Sequence, residues 1–177
     1  KRAFKDVVRL QKEGLSLNRD NGYGQEISIV MAGNYRGTEH PQKGTKLERP
    51  RIDKPWIGFY GDDKSMDNAR KVRHALAMSI HRDAINESIM EGLGDTCYLN
   101  QISVNQEGWK EKWAIPFDPE GARQLLKEAG YEGGGFNVDM WIGPGGLRVE
   151  LGEAIAGVWL QELGVTTNLD RITYTKY

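Results

Sequence analysis

The chain has 177 residues, enough for one compact domain with a real core or for one lobe of something larger. Its 24 Lys and Arg offset 25 Asp and Glu to a formal charge of -1, so no overall field is available to hold a polyanion, and nucleic acid is excluded as an expected partner. The single cysteine, Cys97, excludes an internal disulfide and any CxxC metal or redox pair, and no apolar run approaches a membrane span.

The chain opens KRAFKDVVRLQ, with neither an initiator Met nor the apolar core of a signal peptide, as a trimmed piece would. Phe4, Val7 and Val8 share one face of a short amphipathic helix that Gly14 stops. GQEISIVMAG then alternates, and Ile27, Ile29 and Met31 fall on one side as in a half-buried strand. Residues 37–55 are rich in charge and contain Pro41, Pro50 and Pro55, which predicts an exposed connection. PWIGFY after it is a short strand candidate.

In SMDNARKVRHALAMSIHRDAINESIMEGLG, Val72, Ala75, Leu76 and Ser79 recur at helical spacing, then Ala84, Ile85 and Ile89 do so again. The polar HRD between them predicts two helices or one kinked helix. FDPEGARQLLKEAG carries the fullest helix signature. Asp118 suits the N-cap, Pro119 the first helical position, Ala122, Leu125, Leu126 and Ala129 the buried stripe, and Gly130 the C-terminal stop. Phe136, Val138, Met140 and Ile142 alternate in a strand that leaves Asn137, Asp139 and Trp141 on its other face. Leu151, Ala154, Ile155 and Val158 form the stripe of the next helix, and VTTNLDRITYT closes as a strand. Strands interleaved with helices predict an α/β layer structure.

Between the last strand-helix pair lies IGPGG, Ile142 to Gly146. Glycines at a helix N-terminus let backbone N–H groups approach an anion. The spacing nevertheless matches neither GxGxxG nor GxxxxGK[ST], and no Lys, Ser or Thr closes the loop. A tight turn, or a cleft loop that lets an uncharged ligand reach the backbone, is the preferred reading, and a nucleotide or phosphate site using Gly143–Gly146 is the alternative. FYGDDK resembles a polymerase Gly-Asp-Asp hairpin, but a near-neutral chain has no template channel, and Asp62, Asp63 and Asp67 suit the approach to a helix N-terminus instead. His74 and His81 are seven residues apart rather than at the usual metal spacing of four, and Cys97 has no local histidine. No catalytic motif, cofactor site or metal site is expected. Among the aromatics Trp56, Tyr60, Tyr98, Trp109, Trp113 and Trp141, most belong to a core or its edge; Trp141 is the exception, on the face opposite Met140 and Ile142.

Four segments in this order carry a resemblance: NARKVRHALAMSIHRDAI, GLGDTCYLN, FDPEGARQLLKEAGY, and the strand-helix-strand from FNVDMWIGPGG to LGVTTNL. Together they resemble the extracytoplasmic solute-binding proteins of ABC transporters, in the family 5 class that binds dipeptides, oligopeptides and nickel complexes. The resemblance runs from Trp56 to Tyr177. It implies a lobe of the type II periplasmic-binding-protein fold, a mixed sheet flanked by helices, with residues 1–177 as one α/β lobe of a larger two-lobe protein. It further implies a non-catalytic receptor, in the periplasm or anchored at the cell surface as a lipoprotein, whose partners are a peptide or small-molecule solute, the permease subunits and the remaining lobe. Two positions depart from the family pattern. His81 stands where the family usually has Asp before Arg82, which alters the capping of the second helix, and Tyr60 ends a GFY that is commonly Gly-Phe-Asn, which changes a polar contact near the cleft. Residues that hold peptide termini in relatives are expected beyond Tyr177, so the resemblance leaves the ligand class open. It places Gly143, Pro144, Gly145 and Gly146 at the edge of the interlobe cleft, with Trp141, Tyr60, Tyr98 and Asn100 as further candidates for its rim, or as ordinary turn and packing residues.

Overall fold

A computed structural model describes residues 2–16, 26–31, 33–34, 43–44, 54–99 and 102–172. The first helix, α1 (Arg2–Lys12), keeps Phe4, Val7 and Val8 half-buried, and Gly14 follows it at φ 94°, a conformation that suits glycine. The central helices begin where the sequence supplies an acceptor. Asp62 caps α2 (Asp63–Met78), its carboxylate accepting the Ser65 N–H at 2.9 Å. After the break at Ser79 and Ile80, His81 caps α3 (Arg82–Met90), with Nδ1 accepting the Ala84 N–H at 3.2 Å. Two helices therefore form, divided at Ser79–His81, and Arg82 and Asp83 already belong to the second. Asp118 caps α4 (Pro119–Glu128) by accepting the Gly121 N–H at 2.8 Å, and Gly130 follows at φ 89°.

A short antiparallel pair, β1 (Cys97–Leu99) with β2 (Ile102–Ser103), lies between α3 and α4, along with a single 3₁₀ turn at Glu111–Trp113. After α4 the chain runs through β3 (Asn137–Ile142), α5 (Gly146–Leu163) and β4 (Thr166–Arg171), and β4 pairs parallel to β3 from Asn137↔Thr166 to Ile142↔Arg171. Both pairing senses thus occur alongside five α-helices among the described residues, as the α/β reading expects. Along β3, Val138 and Ile142 are buried while Asn137, Asp139 and Trp141 are exposed, the alternation the sequence predicts.

The core joins α2, α4, β3 and α5. Val72, Ala75 and Leu76 of α2 meet Ala122 and Leu126 of α4, Phe136 and Val138 from β3 and its approach, and Trp159 and Leu163 of α5. The Trp159 indole N–H donates to the Leu76 carbonyl at 2.9 Å, and the buried Ser79 hydroxyl donates to the same oxygen at 3.0 Å. That carbonyl lies in the last turn of α2, where the intrahelical ladder leaves acceptors unpaired.

Four local expectations change. Ile27 to Met31 do not form a strand: no strand pairs with them among the described residues, so Ile29 and Val30 are exposed and only Met31 packs on the core. PWIGFY forms a turn and one isolated bridge at Phe59, because its backbone donors go to side chains. The Gly58 N–H reaches Asn34 Oδ1 at 2.9 Å and the Phe59 N–H reaches Ser65 Oγ at 3.1 Å. In α3, Ile89 is buried but Ala84 is exposed. In α5 the innermost positions are Gly152, Trp159 and Leu163, with Ile155 beside them, whereas Leu151, Ala154 and Val158 are half-buried. Trp159 is drawn inward by its bond to Leu76, and Gly152 gives room to β3, since a Cβ there would stand 2.5 Å from Ile142 Cδ1. Of the connection at 37–55, Lys43 and Gly44 are exposed, Lys54 is half-buried and pairs with Asp139 at 2.8 Å, and Pro55 is buried; the remainder lies outside the described residues, as does the closing strand beyond Ile172.

Candidate functional site

β3 and β4 run in the same direction and end side by side. The Ile172 N–H donates to the Ile142 carbonyl at 3.0 Å, and the chain leaving β3 must turn at once into α5. The turn is Gly143–Gly146. Gly145 sits at φ 131°, where a side chain is strained, and α5 starts from it with no side-chain cap. Arg148 folds back over this loop and donates to the Pro144 carbonyl at 3.3 Å.

An open recess of about 490 Å³ lies at this strand end. Its walls are the loop Gly143–Gly146, the first turns of α5 through Val149, Glu150 and Glu153, and the end of β4 through Arg171 and Ile172. Across its mouth the Arg171 guanidinium pairs with Glu153 at 3.3 Å, both side chains well exposed. A phosphate would need free cations or hydroxyls in the lining; the lining presents two carboxylates and one guanidinium already engaged with one of them, and the neighbouring Arg148 is turned onto the Pro144 carbonyl. The lining suits a solute that contacts backbone and aliphatic surface and carries few negative charges.

The other candidates lie apart from this recess. Trp141 is 65 % exposed on the opposite face of β3, in register with Asp170 of β4. Tyr60 is exposed just before α2, and Asn100 lies outside the described residues. Tyr98 is half-buried and its ring is engaged on two sides, by the Arg82 guanidinium at 4.9 Å and by Trp109 at 5.7 Å; Trp113 meets Trp109 edge-on at 6.0 Å. Sequence reasoning missed Glu150, Glu153 and Arg171. The readable signal was a pair of acids three apart in the helix that follows a glycine loop.

The remaining titratable groups have structural explanations. Asp62 is the α2 cap, and Asp67 bonds Arg70 at 2.9 Å and Lys71 at 3.0 Å, which holds its carboxyl below the ordinary value. His74 lies exposed on α2, where partial desolvation first, and then Arg70 and Arg73, shift its imidazole below the ordinary value. His81 caps α3 and rests on Phe117 at 4.5 Å between ring centres. Burial, with Glu26 and Asp95 nearby, pushes the Cys97 thiol up, which makes it a poor nucleophile.

Comparison with known proteins decides the family. The model of the middle part of bacterial extracellular solute-binding proteins, family 5, matches residues 25–177. The chain belongs to this family. A relative of this family-5 chain, the heme-binding protein A of Haemophilus influenzae, is 34% identical over 129 residues, covering 69% of this chain and 23% of that protein. The dipeptide-binding protein of Escherichia coli is 33% identical over 99 residues, 55% of this chain and 18% of that protein. Among solved structures, a periplasmic oligopeptide-binding protein of Borrelia burgdorferi superposes with TM-score 0.54 at 24% identity, over 60% of this chain and 22% of its own. This likeness gives the type II periplasmic-binding-protein fold. The family-5 chain therefore spans about a fifth of the length of the curated relatives it matches. Members of the family bind solutes outside the cytoplasm, in agreement with the extracytoplasmic location that the resemblance implies.

Proposed function

We propose that this family-5 chain is one lobe of a two-lobed receptor that captures a solute, a peptide foremost, by closing over it, and delivers it to the permease of an ABC transporter without chemical change. The observation that carries the reading is the recess where β3 and β4 end together beside the glycine loop, since open α/β sheets bind ligands outside the carboxyl ends of their strands. Residues 1–177 would supply one wall of the cleft and the rest of the full-length protein the other. Closure needs no catalysis: the solute binds the closed state better than the open one, and the closed population rises accordingly. Peptide is favoured over other solutes because a dipeptide-binding protein is among the relatives, while the heme-binding relative marks how far solute class varies on this framework. Tyr60, Tyr98, Asn100 and Trp141 are proposed as more distant parts of the rim. Half a cleft should bind weakly, because contacts and water exclusion are lost together.

Native mass spectrometry of the full-length protein, purified without refolding, beside the 177-residue chain tests this. A small organic ligand retained by the full-length protein and absent from the shorter chain is the expected result. A nucleotide or metal ion retained by the shorter chain itself would overturn the receptor reading.

A further inference from the structure

We infer that Glu150 makes the recess selective for solutes that present a cationic group, an ammonium or a guanidinium; the inference rests on the solute-capture reading above. Three charged side chains line the recess, and two of them neutralise each other, Arg171 on Glu153 at 3.3 Å. The nearby Arg148 is held on the Pro144 carbonyl at 3.3 Å and is not part of the lining. Glu150 is half-buried, and no hydrogen bond or ion pair engages its carboxylate among the described residues. The rest of the described lining is glycine, proline, valine and isoleucine, so among the described lining residues Glu150 carries the one charge without an ion-pair partner.

Closure turns that charge into a selector. Water leaves the recess as the second lobe closes, and a carboxylate taken from water without a partner is destabilised. A solute cation beside Glu150 removes the penalty and adds a charge-assisted hydrogen bond in a site of lowered dielectric. A neutral solute leaves the penalty in place, and an anionic one adds repulsion to it, so discrimination comes from the disfavoured solutes as much as from the favoured ones. Glu153 does not compete for the role while Arg171 holds it at 3.3 Å.

A peptide can offer a cation from a side chain or from its N-terminus, and calorimetry on the full-length protein distinguishes them. The probes are a lysine tripeptide and its norleucine counterpart, each with a free and with an acetylated N-terminus. Glu150→Gln is expected to weaken binding of the cation-bearing probes by about tenfold while the acetylated norleucine peptide binds more tightly, because no unpaired carboxylate is then desolvated. The lysine arm or the free-amine arm that responds identifies the source. Glu150→Asp, which keeps the charge, should restore the preference, and an unchanged thermal midpoint without peptide shows that the variant folds. Equal weakening of all four probes, or no change in any, overturns the inference while leaving solute capture intact. Failure of all four to bind the wild-type protein overturns the peptide reading, and the inference with it.

Discussion

The indole N–H of Trp159 and the carbonyl of Leu76, 83 residues apart, meet at 2.9 Å in the centre of the core. The bond ties the C-terminal part of α5 to the last turn of α2 and fixes how α5 is rotated over the sheet. Trp159→Phe deletes the donor and part of the ring, and should cost about 2 kcal/mol in urea unfolding; Trp159→Ala should cost about 3–5 kcal/mol. A Trp159→Phe variant as stable as the wild type would show that the bond contributes nothing.

Gly164, at φ 68°, ends α5 against the loop that leads into β3: a Cβ there would overlap the Gly133 carbonyl, and one at Gly134 would overlap the Leu163 carbonyl. Gly130 has the same hand of backbone, φ 89°, but open space around it. Gly130→Ala should therefore cost about 1 kcal/mol, the strain of a left-handed alanine alone. Gly164→Ala should cost about 3 kcal/mol, because backbone must also move. Equal losses in the two variants would mean that the close approach of the two segments adds no constraint.

These contacts explain which parts of the fold were readable. Asp118, Pro119 and Gly130 define α4 through interactions inside four-residue windows, and the alternation of β3 needs only one buried face, so both were legible. The alternation at Ile27 to Met31 is equally regular, yet a strand needs a neighbour and the described chain provides none. α5 is apolar on more than one side, so its periodicity alone left the rotation open; Gly152 against Ile142 and Trp159 against Leu76 settle it across the fold. The same split holds at the recess. Its glycine loop is local and was legible, while Glu153 and Arg171 are 18 residues apart and meet only because β4 returns parallel to β3.

His81 shows how a family departure is absorbed. Its Nδ1 does the work of a capping carboxylate for Ala84, and the ring also packs on Phe117. His81→Ala loses both and should destabilise by about 1–2 kcal/mol. His81→Asp recovers the cap and a favourable charge at the helix start but forfeits the ring contact, so it should fall within about 0.5 kcal/mol of the wild type. Chemical denaturation of the three proteins checks the order; an aspartate variant as weak as the alanine one would mean that ring packing, and not capping, is what His81 contributes.

His74 should give stability a dependence on pH just below neutrality. His74 is exposed on α2, so partial desolvation by its neighbours and the adjacent Arg70 and Arg73 disfavour the imidazolium only modestly, and the folded protein binds this proton somewhat less readily than the unfolded chain, whose histidine keeps its ordinary value of 6.5. With the folded value depressed, the stability linked to His74 is fully present above pH 6.5 and is lost as pH falls through the lower folded value. The acid limb contributed by Asp67 and Glu128, both held below their ordinary 3.8 and 4.5 by hydrogen bonds with neighbouring side chains, begins only at lower pH, so the two effects separate. Thermal unfolding of the wild type should show a midpoint that falls between about pH 7 and pH 5, and His74→Gln should flatten that slope while leaving the steeper loss at more acid pH in place. If His74→Gln leaves the slope between those values unchanged, the imidazole is not the group that loses its proton on folding.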